Sequence, residues 1–269
     1  MAEVKVRKNG SKSISVNVIY GIDELKTSYA VSYTIFPDGR MGVKATLAAV
    51  PEPEMQGPQR PMPENMTEEQ KAQMERMMRS FRKANLPTLP RLGLRMRMPA
   101  EYNVVTYYGR GDQDNYWDRK TGSLIGIYST TADEMYFPYV RPQETGHRTD
   151  VRWATFTDKD GNGLTVVADD VIEFNALRNP VEDFDSQESS HPVQTNYYNN
   201  QDVDVTNGRK QTHINDIKPQ DYVEICIDKV MMGIGGDNSW GASINPKYVI
   251  DTEVAQSYSF TVIPVKGNR

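Results

Sequence analysis

Apolar and polar residues alternate with a period of two along most of the chain, in short runs that Gly, Pro, Asn and Asp clusters separate. Such a period puts every second side chain on one face of a β-strand, so each run predicts a strand with one apolar face. The first runs place on one face Ile14, Val16 and Val18, then Tyr29, Val31, Tyr33 and Ile35, and then Met41, Val43, Ala45 and Leu47. Later runs are LGLRMRM, DVRWATFT, LTVVA, DYVEICIDKV and SYSFTVIPV. We therefore predict an all-β fold of antiparallel strands, in one domain over residues 1–269.

Two segments interrupt the strand pattern. Residues 51–86 begin as a proline-rich linker and then predict an inserted helix at about 67–84, with a Thr67-Gln70 capping box at its start. Its apolar stripe consists of Met74, Met77, Met78 and Phe81. This stripe either docks onto the host domain or contacts a partner or a second protomer. Residues 185–213 are polar and predict a long surface loop.

Composition narrows the classes of function. A net charge of −5 and a pI near 5.4 disfavour nucleic acid as a partner. No apolar run predicts a membrane span, and the first residues lack the apolar core of a secretory signal. The compartment stays open, because a missing disulfide does not exclude export. Cys226 lies inside an alternating run, so we expect it to pack in a sheet and not to act as a nucleophile.

The stretch DKDGNGLTVVAD, from Asp158 to Asp169, resembles a calcium loop in its spacing of carboxylates and glycine. A calcium loop of that kind lies between helices, whereas the flanking runs here alternate as strands. We therefore interpret Asp160-Gly161 as a hairpin turn. The histidines show no metal-ligand spacing: they are His147, His191 and His213. The sequence predicts no metal and no cofactor in this chain.

The stretch YFPYVRPQETGHRTDVRW is too polar for an ordinary core segment. Charged residues alternate in it with aromatic ones, and they are Arg141, Glu144, Arg148, Asp150 and Arg152. One interpretation is a paired ion network that fixes a loop. The other is a sugar-facing cleft, because Arg and carboxylate groups hydrogen-bond hydroxyls while aromatic faces stack on sugar C–H groups.

The stretch VMMGIGGDNSWGASINP near the C-terminus combines glycines with polar residues and a tryptophan. Glycine permits unusual dihedral angles in a tight loop, here at Gly233, Gly235 and Gly236. Short polar side chains that tie such a loop follow at Asp237, Asn238 and Ser239. We expect the loop to present Trp240 at its tip and to expose it more than Trp153, whose alternating context points into the sheet.

Three of these stretches together resemble one family. In order and spacing, YYGRGDQDNYWDR, YFPYVRPQETGHRTDVRW and MGIGGDNSWGA are similar to the C-terminal domain of lac-type β-galactosidases of glycoside hydrolase family 2. The resemblance implies a β-supersandwich similar to galactose mutarotase. It also implies that Trp240 helps to form the platform for the aglycone sugar of a β-galactoside. This chain departs from the family at Asp112 and Asp114, where Pro and Glu are usual, so no role is carried onto that loop.

In that family the catalytic glutamates belong to a separate (β/α)₈ barrel of the same polypeptide. The resemblance therefore implies a chain with no catalytic residue of its own, inactive alone, with the barrel as its partner and a homo-oligomer possible. Few residues precede Tyr29 compared with the family, so we expect a fragment of a longer polypeptide. A free-standing mutarotase-like epimerase, a carbohydrate-binding module and an oligomerisation module remain as alternatives.

Overall fold

Antiparallel strand pairing organises the chain. The computed structural model describes residues 2–51, 66–71, 73–74, 89–140, 142–184, 193–196, 201–204, 214–238 and 244–267. In this part of the chain the strands are β1 (Ala2–Asn9), β2 (Ser13–Ile22), β3 (Thr27–Ile35), β4 (Met41–Leu47), β5 (Arg91–Pro99), β6 (Val104–Arg110), β7 (Ile125–Thr131), β8 (Arg148–Thr157), β9 (Gly163–Leu177), β10 (Val193–Asn196), β11 (Gln201–Asp204), β12 (Tyr222–Met231) and β13 (Gln256–Val265). The fold is an all-β sandwich of antiparallel strands, as the alternation predicts.

The long strand β9 divides the main sheet into two branches. Its first residues, up to Ala168, pair with β13, which continues the sheet through β4, β3, β2 and β1. Its last residues, from Glu173 to Leu177, pair instead with β12, which pairs in turn with β5. On the opposite edge of β9 the order is β8, β6 and β7. A single strand therefore holds both branches together.

The two branches pack face to face, and tyrosine side chains cross between them. The Tyr29 hydroxyl on β3 donates to the carbonyl of Gly93 on β5 at 3.2 Å. The Tyr258 hydroxyl on β13 donates to the carbonyl of Ile227 on β12 at 2.9 Å. Burial raises the pKa of Tyr29 to about 12, so it stays a protonated donor. The core between the layers includes Val31, Val43, Ala45, Met98, Phe156, Phe174, Ile225 and Phe260.

Several local predictions are confirmed. β3 and β4 form the predicted hairpin, with Gly39 at a φ of +85° in its turn. Cys226 is buried between β5 and β9. The turn between β8 and β9 is a hairpin in which the Asp158 N–H donates to the Asn162 carbonyl at 2.8 Å, and the Asp158 carboxylate accepts the N–H groups of Asp160 and Asn162.

The capping box of the insert is also confirmed, since the Thr67 N–H donates to Gln70 Oε1 and the Gln70 N–H donates to Thr67 Oγ1. Residues 68–71 and 73–74 are helical. The remainder of the predicted helix lies outside the described residues, including most of its methionine stripe. No helix in the described ranges is long and apolar enough to cross a membrane.

Two predictions are corrected. Trp153 does not point into the core: the pairing of β8 with β9 shifts between Val151 and Trp153, and this bulge turns Ala154 and Phe156 inward while Trp153 is half-buried. The predicted surface loop over 185–213 contains strands β10 and β11, which pair with each other. Strands β1, β6 and β7 were not among the predicted runs.

Candidate functional site

The glycine-rich segment begins where β12 ends at Met231. Left-handed dihedral angles at Gly235 and Gly236, with φ of +64° and +81°, turn the chain back on itself. Asp237 and Asn238 follow and are exposed. Ser239 and Trp240 lie outside the described residues, so the position expected for this indole stays a prediction.

Two charged side chains from the loop after β6 hold this segment in place. Asp118 Oδ1 accepts the N–H of Ile234 at 3.2 Å, and Oδ2 accepts the N–H of Gly235 at 2.8 Å. The Arg119 guanidinium donates to the Gly235 carbonyl. We call Asp118 and Arg119 the loop clamp. It fits only because residue 233 is glycine: a Cβ there would lie 2.8 Å from the Asp118 carboxyl group.

The loop that carries the clamp is itself anchored. The Asn115 side chain is buried, donates to the Arg110 carbonyl at 2.9 Å and accepts the N–H of Thr149 at 3.1 Å. The Trp117 ring packs edge-on against Tyr248, with ring centroids 5.8 Å apart. The clamp is therefore attached to the sheet through these contacts, and the glycine-rich segment is attached to the sheet through the clamp.

A cleft of about 470 Å³ lies between the glycine-rich segment and the polar-aromatic loop before β8. The residues that line it are Tyr116, Arg119, Tyr139, Gln143, Glu144, Met231, Met232, Gly233, Ile234, Gly235, Gly236 and Ile244. The two loops that the sequence singled out thus form opposite walls of one cleft.

Glu144 brings a carboxylate to this cleft. Its Oε1 accepts a hydrogen bond from Arg91 Nη2 at 3.2 Å and one from Asn175 Nδ2 at 3.1 Å. Within the described part of the chain, both of these bonds use the same oxygen, and the side chain is 19% exposed. Oε2 is therefore left to accept from solvent or from a ligand.

A buried ion cluster lies next to the cleft and holds Glu144 through Arg91. Arg91 Nε is 2.9 Å from Asp228 Oδ2, and Arg91 Nη2 is 3.4 Å from His147 Nδ1. The Arg91-Asp228 pair is close but not aligned for a hydrogen bond, so it depends on charge alone. Burial accordingly raises the pKa of Asp228 to about 6, although Arg91 and His147 oppose the change.

The same cluster also reaches the start of the glycine-rich segment. His147 Nε2 is 3.0 Å from Glu173 Oε2, and the N–H of Met231 donates to that oxygen at 2.6 Å. His147 is fully buried and stacks under the Tyr116 ring, with centroids 5.5 Å apart. Its imidazole is therefore a structural group that does not open onto the cleft.

Two tyrosines, Tyr116 and Tyr139, line the cleft beside Glu144. Tyr139 donates its hydroxyl to Asp114 Oδ2 at 2.8 Å, and Tyr116 donates to the same oxygen at 3.3 Å. The pKa of Tyr139 is raised to about 12, mainly by burial and to a smaller extent by the Asp114 carboxylate. Both rings are oriented by these bonds, and their hydroxyls stay protonated at neutral pH.

The other charged residues of the predicted cleft have structural positions. Arg148 is buried and donates to the Tyr107 hydroxyl at 2.7 Å and to the Asp112 carbonyl at 2.8 Å. Arg152 lies over the Tyr108 ring at 5.4 Å. Of the five charged residues that the sequence singled out, Glu144 lines the cleft, and Arg141 lies outside the described residues. The other three do not line it: Arg148, Asp150 and Arg152.

In the sequence, the loop that supplies Tyr116 and the clamp shows only charged residues available for polar contacts, with no sign of their partners. Asp118 and Arg119 meet a segment more than a hundred positions away in the chain, and no local pattern marks that contact. In the described ranges, no three Asp, Glu, His or Cys side chains are arranged to hold a metal ion.

Comparison with known proteins identifies the family. The model of the beta galactosidase small chain family matches residues 1–263. A beta-galactosidase of Priestia megaterium is 29% identical over 252 residues, which cover 94% of this chain and 19% of that protein. A beta-galactosidase of Halalkalibacterium halodurans is 26% identical over 256 residues, 95% of this chain and 20% of that protein. The chain therefore spans about a fifth of the length of these relatives. It belongs to the beta-galactosidase small chain family.

Proposed function

We propose that this chain is the part of a β-galactosidase that completes the aglycone side of an active site whose catalytic glutamates lie in a separate (β/α)₈ barrel. The match of residues 1–263 to the small chain family carries this proposal. The chain's share of its relatives, about a fifth of their length, agrees with an accessory region that acts together with a larger one. The substrate is a β-galactoside, as the names of the relatives imply.

In this proposal the glycine-rich segment carries the contact with the aglycone sugar. The clamp fixes the segment as far as Gly235, and Trp240 follows five positions later. A sugar presents an apolar C–H face on which an indole stacks, while the neighbouring polar residues Asp237, Asn238 and Ser239 bond its hydroxyls. A rigid support for such a loop reduces the entropy that binding would otherwise cost.

The first experiment measures hydrolysis of an aryl β-galactoside by the purified chain alone. We expect no turnover, because the proposal assigns the acid/base and nucleophile carboxylates to the barrel. The complete protein that contains the chain serves as the positive control. Robust turnover by the chain itself, retained after removal of contaminating enzyme, would contradict the proposal.

The second experiment measures kcat and KM of the complete enzyme carrying Trp240→Ala. Stacking is made in the ground state and in the transition state alike, so its loss raises KM and leaves kcat nearly unchanged. A contact worth about 1–2 kcal/mol corresponds to a factor of roughly 5–30 in the KM of a disaccharide. Activated aryl galactosides should change less, since they have no aglycone sugar.

Two further variants act as controls for that measurement. Trp240→Phe keeps an aromatic face and should recover most of the affinity, whereas Trp153→Phe removes an indole from another part of the sheet and should leave KM unchanged. Equal effects of Trp240→Ala on disaccharides and on aryl galactosides would reject the aglycone role.

The mutarotase alternative needs a histidine and a carboxylate that converge on an open concave face. Among the described residues the histidine is His147, and it is buried beneath Tyr116. We therefore expect the chain to leave the anomer exchange of galactose at the rate of the buffer, as measured by polarimetry.

A further inference from the structure

The cleft itself has the size and the lining of a small-molecule site. Its volume of about 470 Å³ falls in the range usual for ligand pockets, and apolar side chains are interspersed with a few polar groups. Hydrogen bonds orient the polar groups. Glu144 accepts from Arg91 and Asn175, and the Tyr139 hydroxyl donates to Asp114. A site whose groups are already oriented binds without a further cost of ordering them.

The charges in the cleft select a neutral ligand. Glu144 offers a carboxylate that only accepts hydrogen bonds, and Arg119 offers a guanidinium that only donates them. An anion would be repelled by Glu144. A cation would be repelled by Arg119 and by Arg91 behind Glu144. A neutral molecule with several hydroxyl groups can donate to the carboxylate and accept from the guanidinium at the same time.

The apolar part of the lining further restricts the class of ligand that fits the cleft. Two aromatic rings, Tyr116 and Tyr139, face the same space as the side chains of Met231, Met232 and Ile234. Such a surface suits a ligand that has apolar C–H faces as well as hydroxyls, and a pyranose ring has both. A small polyol such as glycerol lacks the extended C–H face.

We propose that this cleft binds one pyranose ring of a saccharide, with Glu144 Oε2 accepting from a ring hydroxyl and the Arg119 guanidinium donating to another hydroxyl. The inference rests on the proposed function for the choice of a saccharide among neutral polyols. It goes beyond the proposed function, which depends on Trp240, because it assigns a contact with the sugar to Glu144 and Arg119.

Methionine methyl groups report on the cleft directly. The chain is labelled with ¹³C-methyl methionine and titrated with glucose, galactose or lactose, while the methyl resonances are followed by NMR. Met231 and Met232 line the cleft and should shift, whereas Met96 and Met98 on β5 lie elsewhere and should not. A site with few hydrogen bonds open to water predicts dissociation constants of about 1–100 mM.

Matched variants test the assigned groups. Glu144→Gln keeps the shape of the side chain and removes the charge, so the affinity should fall by roughly tenfold or more, as for loss of a hydrogen bond to a charged group. Glu182→Gln is the control, since it makes the same change at a carboxylate that pairs with Arg95 outside the cleft. Ile244→Trp fills the cleft without touching the ion cluster and should abolish the response even if Glu144→Gln proves unstable.

The outcomes separate this inference from the proposed function. Unchanged Met231 and Met232 resonances at roughly 100 mM sugar, the weak end of measurable affinity, would overturn the inference. The same holds for equal responses to glycerol and glucose, or for full affinity in Glu144→Gln. These results concern the cleft alone. The proposed function is contradicted instead by turnover in the chain alone, or by a Trp240→Ala enzyme whose KM for disaccharides rises no more than its KM for aryl galactosides.

Discussion

Removal of the Asp118 carboxylate should release the glycine-rich segment without unfolding the domain. In Asp118→Ala the N–H groups of Ile234 and Gly235 lose their acceptors, which lie at 3.2 and 2.8 Å. Arg119 keeps its bond to the Gly235 carbonyl, so the segment stays close but becomes free to open. The change is confined to a loop outside the core, which predicts a local effect.

The size of the effect follows from the exposure of the bonds. A hydrogen bond to a charged group contributes about 1.5–3 kcal/mol when it is well shielded. Asp118 is half-buried and Ile234 is exposed, so water replaces part of the loss. We expect the free energy of local opening to fall by about 1–2 kcal/mol, which corresponds to a roughly 5–30-fold faster exchange of the two amides.

Native-state amide hydrogen exchange, followed by NMR, measures this directly. Asp118→Asn keeps one acceptor oxygen and should give an intermediate acceleration. Asp112→Ala is the matched control, because it removes an exposed carboxylate from the same loop. Unaltered exchange at Ile234 and Gly235 would refute the clamp, and so would an equal acceleration of the β12 amides, since that pattern indicates global destabilisation.

Three further predictions concern the clamp, the ion cluster and the thiol. Gly233→Ala places a Cβ 2.8 Å from the Asp118 carboxyl group and 2.9 Å from the Tyr248 Cβ, so overpacking at this buried position should lower the free energy of unfolding in urea by about 1–3 kcal/mol; a stability equal to wild type would contradict this. Burial raises the pKa of Asp228 from 3.8 to about 6, so the folded protein binds this proton more tightly than the unfolded chain does. The wild type should therefore lose about 2 kcal/mol of stability relative to Asp228→Asn as the pH rises from about 4 to 6, and a difference that is independent of pH would reject this reading. Cys226 is buried and burial raises the pKa of its thiol, so it should react with a chromogenic disulfide reagent only after denaturation; rapid labelling of the native protein would show that the site is open.

The strands that could be predicted from sequence are those whose alternation is uninterrupted. In β4 the side chains of Val43, Ala45 and Leu47 are buried as the period of two requires, because each residue step reverses the face of the strand. β5 behaves likewise, with Leu92 and Met98 buried. Local patterning therefore determines both the strand and its core face in this half of the fold.

Where the backbone departs from regular geometry, the same reasoning fails. Asp150 has a φ of +52°, a conformation that a residue other than glycine seldom adopts, and Arg110 and Lys120 both bind its carboxylate. The bulge that follows shifts the alternation and turns Trp153 away from the core. No periodicity predicts such a bulge, and the ion pairs beside it join Asp150 to residues 30 and 40 positions away in the chain.

The candidate site is predictable only in its parts. The glycine-rich segment and Glu144 stand out in the sequence by composition. The clamp does not stand out in the sequence, because its role depends on the contact between Asp118 and Gly235. That contact depends on how β12 and the loop after β6 are brought together, and only the topology of the sheet determines it.

The buried ion cluster connects the two walls of the cleft. Arg91 on β5 holds Glu144, which lies on one wall, and Glu173 on β9 binds the N–H of Met231, where the other wall begins. His147 contacts both Arg91 and Glu173 and so connects the two halves of the cluster. Burying these charges opposes folding, and packed apolar residues of similar volume would stabilise the sheet at least as well. Apolar residues would not, however, orient a carboxylate toward the cleft and a backbone amide at the root of the glycine-rich segment. The cluster therefore lowers the stability of the sheet but orients the groups of the cleft, as the proposed sugar contact requires.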